Sequence, residues 1–206
     1  RDGRLITVSL SSHPIRARGR AGRLVLAHDV TELRRARAEL AELAVRDDLT
    51  GLLNRRGFRA LVEQEIKVAR RTGRADAVLY LDLDGFKPVN DAHGHAEGDA
   101  ALRAVAAVLR ATVRDSDIVA RLGGDEFAVY AAGMSRAGEG GALAGRLARA
   151  LAEASDAAVA GGRPYRLGAS IGVAELAPGD TLDALIARAD AALYARKEEL
   201  ARRDAA

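Results

Sequence analysis

Two acidic side chains, Asp125 and Glu126, stand directly after Gly123-Gly124 and between two apolar runs at 117–121 and 127–131. Apolar runs joined through a glycine pair predict a β-hairpin, and glycine lets another molecule approach the backbone of such a turn closely. Successive strand residues point to opposite faces, so the two acids should do different work, or one should support the other. A second acid pair, Asp82-x-Asp84, ends the apolar run 77–81. Residues at i and i+2 share one strand face. Hard carboxylate oxygens at that spacing suit Mg2+ or Mn2+, above all when phosphate oxygens complete the shell. Gly85 leaves room for backbone amides to approach a phosphate, and Lys87 supplies a cation. Met alone, each feature also describes a solvated turn or strand end; the chemistry lies in their conjunction.

Asn90, Asp91, His93, His95 and Asp99 follow in a stretch that reads as a polar loop, opening a helix at about Gly98. Asn offers both a donor and an acceptor and Asp accepts from N–H groups, so the two near a nucleotide could read a base edge. His93-x-His95 has no further ligands of matching type and reads as loop hydrogen bonding rather than a metal site. Arg114 and Asp117, three apart on a turn, could grip an anion and a base, or simply pair with each other as a weak surface ion pair.

The elements that must position these groups follow from periodicity. Phe58, Leu61, Val62, Ile66 and Ala69 form an apolar helical stripe that Gly73 should end. Further stripes run through Leu102, Val105, Leu109 and Val113, through Leu143, Leu147 and Leu151 after a Gly-rich loop at 138–141, and through Leu182, Leu185, Ile186, Ala189 and Leu193 behind a capping Thr181. The run 77–81 reads as a central strand buried on both faces, and 165–174 as another. The order helix, strand, helix, hairpin, helix, strand, helix predicts an α/β (α+β) domain whose helices cover a mainly antiparallel sheet. In such a sheet the Asp82 strand end and the Asp125 turn could lie side by side. Three carboxylates from two neighbouring strands make a divalent-metal site for nucleotide phosphates, the polymerase-palm solution to nucleotidyl transfer.

The 206 residues suffice for one full domain and a smaller piece, and 49% hydrophobic residues allow a sizeable core. The absence of cysteine excludes disulfides and thiolate metal sites. The 32 basic and 29 acidic residues are interspersed, with none of the long basic block of a nucleic-acid arm, so no nucleic-acid partner is expected. No apolar run approaches the ~20 residues that span a bilayer, and no signal peptide is visible; a cytoplasmic location without membrane contact is the expectation. Residues 5–10 alternate as a half-buried strand does, 19–22 read as a turn, and 23–28 as the next strand. Two strands cannot make a stable sheet alone, so 1–28 read as the trailing edge of an incomplete module. Asp29 and Glu32 come close to a capping box and open a helix over 29–47, where Leu33, Ala36, Leu40 and Leu43 form a heptad seam about two heptads long, which reads equally as an ordinary amphipathic connector.

About the first 45 residues, with Asp2-Gly3-Arg4, two strands and then Asp29-Val30-Thr31-Glu32-Leu33-Arg34-Arg35-Ala36, resemble the C-terminal end of a PAS sensor domain running into its output helix. A second resemblance covers residues 46–197. Gly123-Gly124-Asp125-Glu126-Phe127, the stretch 48–56 (Asp48-Leu49-Thr50-Gly51-Leu52-Leu53-Asn54-Arg55-Arg56), and 82–87 with Asn90-Asp91, Gly94-His95 and Gly98-Asp99 together resemble the GGDEF-domain diguanylate cyclases. That resemblance implies a polymerase-palm or nucleotidyl-cyclase-like domain over 48–206, preceded by a PAS-like remnant at 1–28 and a signalling helix at 29–47. It implies condensation of two GTP into cyclic di-GMP and two pyrophosphate by a homodimer, each subunit presenting one GTP. Asp82, the Leu83 carbonyl, Asp125 and Glu126 are implied ligands of Mg2+ (or Mn2+), with Asp125 and Glu126 catalytic and Glu126 helping to activate the 3′-hydroxyl. Asn90 and Asp99 are implied guanine contacts. The Gly85 and Phe86 amides, Lys87 and Lys197 are implied phosphate contacts. Arg114 and Asp117 match an RxxD site at which cyclic di-GMP inhibits, with Arg146 completing it from a partner subunit.

The sequence departs from the family after Lys197, where Glu198-Glu199-Leu200-Ala201 replaces a Gly, a basic residue and Asn. The basic position falls on Ala201, leaving Arg202 or Arg203 to substitute as a triphosphate contact. The alternative function is a non-catalytic GGDEF module that binds cyclic di-GMP or GTP as a receptor.

Overall fold

The computed structural model describes residues 6–17, 20–33, 45–134 and 138–204, and the chain divides into two units, Arg1–Ala44 and Val45–Ala206. In the first unit, β1 (Val8–Ala17) and β2 (Arg20–Asp29) pair antiparallel, with Val8 opposite Asp29 and Leu10 opposite Ala27. Both strands are longer than the sequence pattern indicates, and β2 begins inside the stretch read as a turn. Apolar side chains of both strands are exposed, as Leu10 of β1 and Val25 of β2 show, because two strands offer no covering layer. Asp29 Oδ1 accepts the Thr31 backbone N–H at 2.9 Å where helical residues 31–33 begin. The seam positions Ala36, Leu40 and Leu43 lie outside the described residues.

The second unit runs α1 (Arg55–Thr72), β3 (Ala75–Asp84), α2 (Phe86–His93), α3 (His95–Thr112), β4 (Ile118–Gly123), β5 (Glu126–Met134), α4 (Glu139–Ala160), β6 (Gly168–Glu175) and α5 (Leu182–Asp204). Its sheet has the order β4-β5-β3-β6, and every neighbouring pair is antiparallel. Strand β3 is central and feeds two cores through its alternating side chains. Leu79 and Leu81 pack with Leu102, Leu109, Phe127 and Leu147 on the α3/α4 face. Val78 and Tyr80 pack with Phe58, Val62, Tyr130 and Leu185 on the α1/α5 face. Each such side chain contributes roughly 1.5–3 kcal/mol of burial free energy, which is what fixes the strand register. No helix among the described residues is long and apolar enough to cross a membrane.

Local signals set most boundaries. Asn54 Oδ1 accepts the Gly57 N–H at 2.9 Å to start α1, and Gly73, at φ 70°, ends it. Thr181 Oγ1 accepts the Ala184 N–H at 3.2 Å at the start of α5. Leu61 departs from the expected stripe and is exposed. The stretch expected as a polar loop is instead the helix α2, and α3 starts at His95, three residues before Gly98. Pro88 sits in the first turn of α2, where its missing N–H costs nothing. Gly140 and Gly141 lie within α4 rather than in a loop. A Cβ on Gly140 would stand 3.0 Å from Val173 and 3.2 Å from Ala77, so glycine there lets α4 close onto the sheet.

Candidate functional site

The ladder puts Asp82 of β3 directly opposite Glu126 of β5. Both follow the even-numbered side of β3, the face that α1 and α5 cover. Asp125 sits in the turn before β5, where its carbonyl accepts the Leu83 N–H at 3.3 Å. The two acid-bearing ends therefore lie side by side. The turn itself needs its glycines, since Gly123 has φ 152° and Gly124 φ 51°, values costly for residues with a Cβ.

Two basic side chains close on this corner. Gly172 of β6 allows α5 to lie against the strand backbone: a Cβ there would come within 2.0 Å of the Ala189 carbonyl oxygen and 2.3 Å of the Leu193 nitrogen. One turn beyond Leu193, Lys197 Nζ forms an ion pair with Asp82 Oδ1. Arg55, the first residue of α1, donates through Nε to the Leu122 carbonyl at 3.2 Å and places Nη2 3.5 Å from Glu126 Oε2. Burial, reinforced by the Glu126 charge, pushes the Tyr80 hydroxyl up to about 12, so it stays protonated beside the acids. Asp84 is held separately, its two oxygens accepting from Ser170 Oγ at 2.9 and 3.2 Å.

A third basic side chain fixes the turn from behind. Arg121 donates to the Gly124 carbonyl through Nε at 2.9 Å and Nη2 at 2.7 Å, and its Nη1 lies 3.2 Å from Asp47. Burial alone would raise the Asp47 carboxyl. The Thr50 hydroxyl and N–H, joined by Arg121, outweigh it and hold that carboxyl below its ordinary value. The lead-in segment is thus tied to the signature turn. Arg55 and Arg121 have no visible role in the sequence, because a surface arginine and one bound to a carbonyl 67 residues away look the same there.

After β3 the chain turns at Gly85, φ 78°, which starts α2 without any side-chain cap. Among the described residues no side chain caps the Phe86 and Lys87 amides at this helix start, the arrangement that attracts anions, and Lys87 is exposed. Asn90 crosses to α3 so closely that a Cβ on Gly98 would lie 1.9 Å from its Oδ1. Asn90 therefore packs against Gly98, the residue before Asp99, at the α2–α3 corner. His93 packs its ring against Tyr165, with centroids 5.4 Å apart. Tyr165 donates to Glu97 Oε1 at 2.6 Å and Arg163 pairs with the same carboxylate at 3.0 Å, which pins the first turn of α3.

Arg114, Asp117 and Arg146 line one pocket of about 270 Å3 together with Met134, Glu139 and Leu143. Asp117 does not pair with the Arg114 guanidinium. Its oxygens instead accept backbone N–H groups, Arg114 at 3.0 Å and Ala132 at 3.2 Å. Among the described residues no ion pair engages the guanidinium of Arg114 or Arg146. Arg146 lines this pocket within a single chain. Arg202 pairs with Glu198 along α5 at 3.1 Å.

Among the described residues no three His, Asp or Glu side chains converge as a closed metal cage. The donor set is an open one: carboxylates on two adjacent strands and at the turn, with the main chain between them. Such oxygen donors fit Mg2+ or Mn2+, which keep several non-protein ligands.

Comparison with known proteins matches residues 44–203 to the family described as Diguanylate cyclase, GGDEF domain. The bifunctional diguanylate cyclase/cyclic di-GMP phosphodiesterase MucR of Pseudomonas aeruginosa is 43% identical over 178 residues, covering 82% of this chain and 24% of that protein. The diguanylate cyclase DgcM of Escherichia coli is 35% identical over 202 residues, covering 96% of this chain and 47% of that protein. The chain therefore spans less than half the length of both. Among solved structures, the coiled coil and GGDEF domain of DgcB from Caulobacter crescentus in complex with c-di-GMP matches with a TM-score of 0.67 and 30% identity, over 82% of this chain and 89% of that one.

Proposed function

The chain belongs to the diguanylate cyclase GGDEF-domain family, and from that premise we propose that it condenses two GTP into cyclic di-GMP and two pyrophosphate. The observation that carries the proposal is the corner in which Asp82 faces Glu126 beside the Asp125 turn, flanked by Lys197 and Arg55. Asp82, the Leu83 carbonyl, Asp125 and Glu126 would hold Mg2+ or Mn2+, which when bound neutralises phosphate charge and eases ionisation of the attacking hydroxyl. The chain's own groups do the rest. Asn90 and Asp99 read guanine at the α2–α3 corner; the Gly85 and Phe86 amides, Lys87 and Lys197 receive the phosphates; Glu126 takes the 3′-hydroxyl proton. One domain offers one nucleotide corner, so the reaction needs two copies face to face. The Arg114–Asp117–Arg146 pocket binds cyclic di-GMP and restrains the enzyme. Residues 1–28, read as the end of a PAS-like sensor, and 29–47, read as its output helix, would govern pairing of the two copies.

The test is incubation of the full chain with GTP and Mg2+ and separation of products by chromatography and mass. Cyclic di-GMP and pyrophosphate should form, Asp125→Ala should abolish them, and Arg114→Ala should relieve the stall at high product. A dimeric sample that binds GTP yet makes no product would refute cyclisation. Two observations favour the receptor reading in that event: the missing basic residue at Ala201, and a product pocket whose two guanidiniums make no ion pair among the described residues. Binding of cyclic di-GMP without turnover would establish it.

A further inference from the structure

The two acids facing each other across the β3–β5 ladder each hold a basic partner from a different helix. Asp82 carries Lys197 of α5, and Glu126 carries Arg55 of α1. Like charges directly opposite in a ladder repel, and these two cations offset that repulsion when nothing is bound. The Lys197 ammonium lies on Asp82 Oδ1 itself, where a cation ligated by that oxygen would also have to lie. The pair is only partly exposed, 35% for Lys197 and 24% for Asp82, so water screens it less than a surface pair. The Arg55–Glu126 pair is looser, at 58% and 38%.

A bare divalent ion meets this corner at a disadvantage, since it must expel the ammonium and sit beside a guanidinium. A bare polyphosphate also meets it at a disadvantage, because it faces two carboxylates. Arriving together they satisfy every group: carboxylates turn to the metal, while the released ammonium and guanidinium turn to phosphate oxygens. We infer that Lys197 and Arg55 are exchangeable internal counter-ions, which keep the acid corner closed to a lone divalent cation and open it to a nucleotide that brings the metal. The inference rests on the nucleotide site proposed above and adds an order to it: metal and polyphosphate bind as a pair.

The experiment measures Mn2+ binding to the full chain from the free-ion electron paramagnetic resonance signal, first without nucleotide and then with 3′-deoxy-GTP, which cannot cyclise. Lys197→Met should bind bare Mn2+ about tenfold more tightly than the parent, equivalent to ~1.4 kcal/mol. The same variant should bind 3′-deoxy-GTP with Mn2+ about tenfold more weakly. Lys197→Arg, which keeps the charge, should leave bare Mn2+ weak, and Asp82→Asn should weaken Mn2+ in both settings. The opposite signs are the signature. A plain phosphate contact would weaken the nucleotide and leave bare Mn2+ unchanged, and a structural role would weaken both; either result overturns the inference. Should Lys197→Met unfold, Arg55→Met carries the same test, with tighter bare Mn2+ expected and unchanged Mn2+ overturning it. If the sign reversal appears but no cyclic di-GMP forms, the cyclisation reading falls and the counter-ion exchange stands. If cyclic di-GMP forms without reversal, the exchange alone falls.

Discussion

Gly98→Ala sets the stability of α3 against the placement of Asn90. Position 98 is helical and buried, and alanine gains roughly 1 kcal/mol over glycine in a helix interior. The new methyl would, however, stand 1.9 Å from Asn90 Oδ1, 2.9 Å from its Cγ and 3.3 Å from Phe86 Cζ. Ordinary contact is about 3.5 Å, so the amide must withdraw by roughly 1.5 Å. Because the obstructing atoms belong to the end of a rotatable side chain, the fold can absorb the change, and the helical gain offsets the local crowding. Recognition cannot absorb it in the same way. A hydrogen bond lost to a bound base costs about 1–1.5 kcal/mol, close to tenfold in affinity. The variant should therefore melt within a few degrees of the parent while its KM for GTP rises about tenfold, measured by pyrophosphate release alongside thermal unfolding. An unchanged KM in a folded variant would refute the placement of Asn90 at the base, whatever the melting temperature.

The other predictions concern the scaffold. Gly172→Ala presses a methyl onto the α5 backbone, where nothing can rotate away; it should destabilise the domain by about 3 kcal/mol or more in urea titration. Asp76 is fully buried and bonded to Arg74 at 2.8 Å and to the Gly133 N–H at 2.8 Å, as well as to the Tyr130 hydroxyl. Asp76→Asn leaves Arg74 with Glu65 alone of its two carboxylates and should cost roughly 3 kcal/mol in the same assay, whereas Tyr130→Phe should cost only about 1–2 kcal/mol. The Asp47 carboxyl is lowered in the folded chain, so it adds stability above its unfolded value of 3.8 and loses it as pH falls further, through the folded value. Denaturation midpoints taken on the acid side of that value should fall, and Thr50→Ala, which removes one cause of the lowering, should shrink the loss.

Legibility in the sequence tracked the range of each interaction. The stripes through Val105 and Leu109, and through Leu185 and Ala189, announced their helices because period and burial are local. The pairing of Asp82 with the Gly123-Gly124-Asp125 turn was legible as well, since a central apolar strand beside an acid-tipped hairpin leaves few ways to build the sheet. The helix α2 was hidden by its composition: Pro88, Asn90 and Asp91 are turn formers flanked by Gly85 and Gly94, and the burial of Phe86 and Val89 holds the segment between the glycines helical. Arg55 and Arg121 were hidden for a different reason. Their partners, Leu122 with Glu126 and Gly124 with Asp47, are brought near by folding, and nothing in an arginine's immediate neighbours indicates that. For Arg114 and Asp117 the spacing was visible, but not that Asp117 spends its oxygens on backbone N–H groups and leaves the guanidinium open to the pocket.

The lead-in segment has a consequence for solubility. Strand β4 is the last strand on its side of the sheet, yet its outer edge is not bare. Leu53 bridges Ala120 in parallel, its N–H donating to the Val119 carbonyl at 3.3 Å and its carbonyl accepting the Arg121 N–H at 2.8 Å. One short stretch thereby covers hydrogen-bonding groups that would otherwise template a foreign strand. A gene product trimmed to begin after Leu53 would keep all the acids of the corner and still present that raw edge, and it should collect in inclusion bodies where one beginning at Val45 stays dispersed.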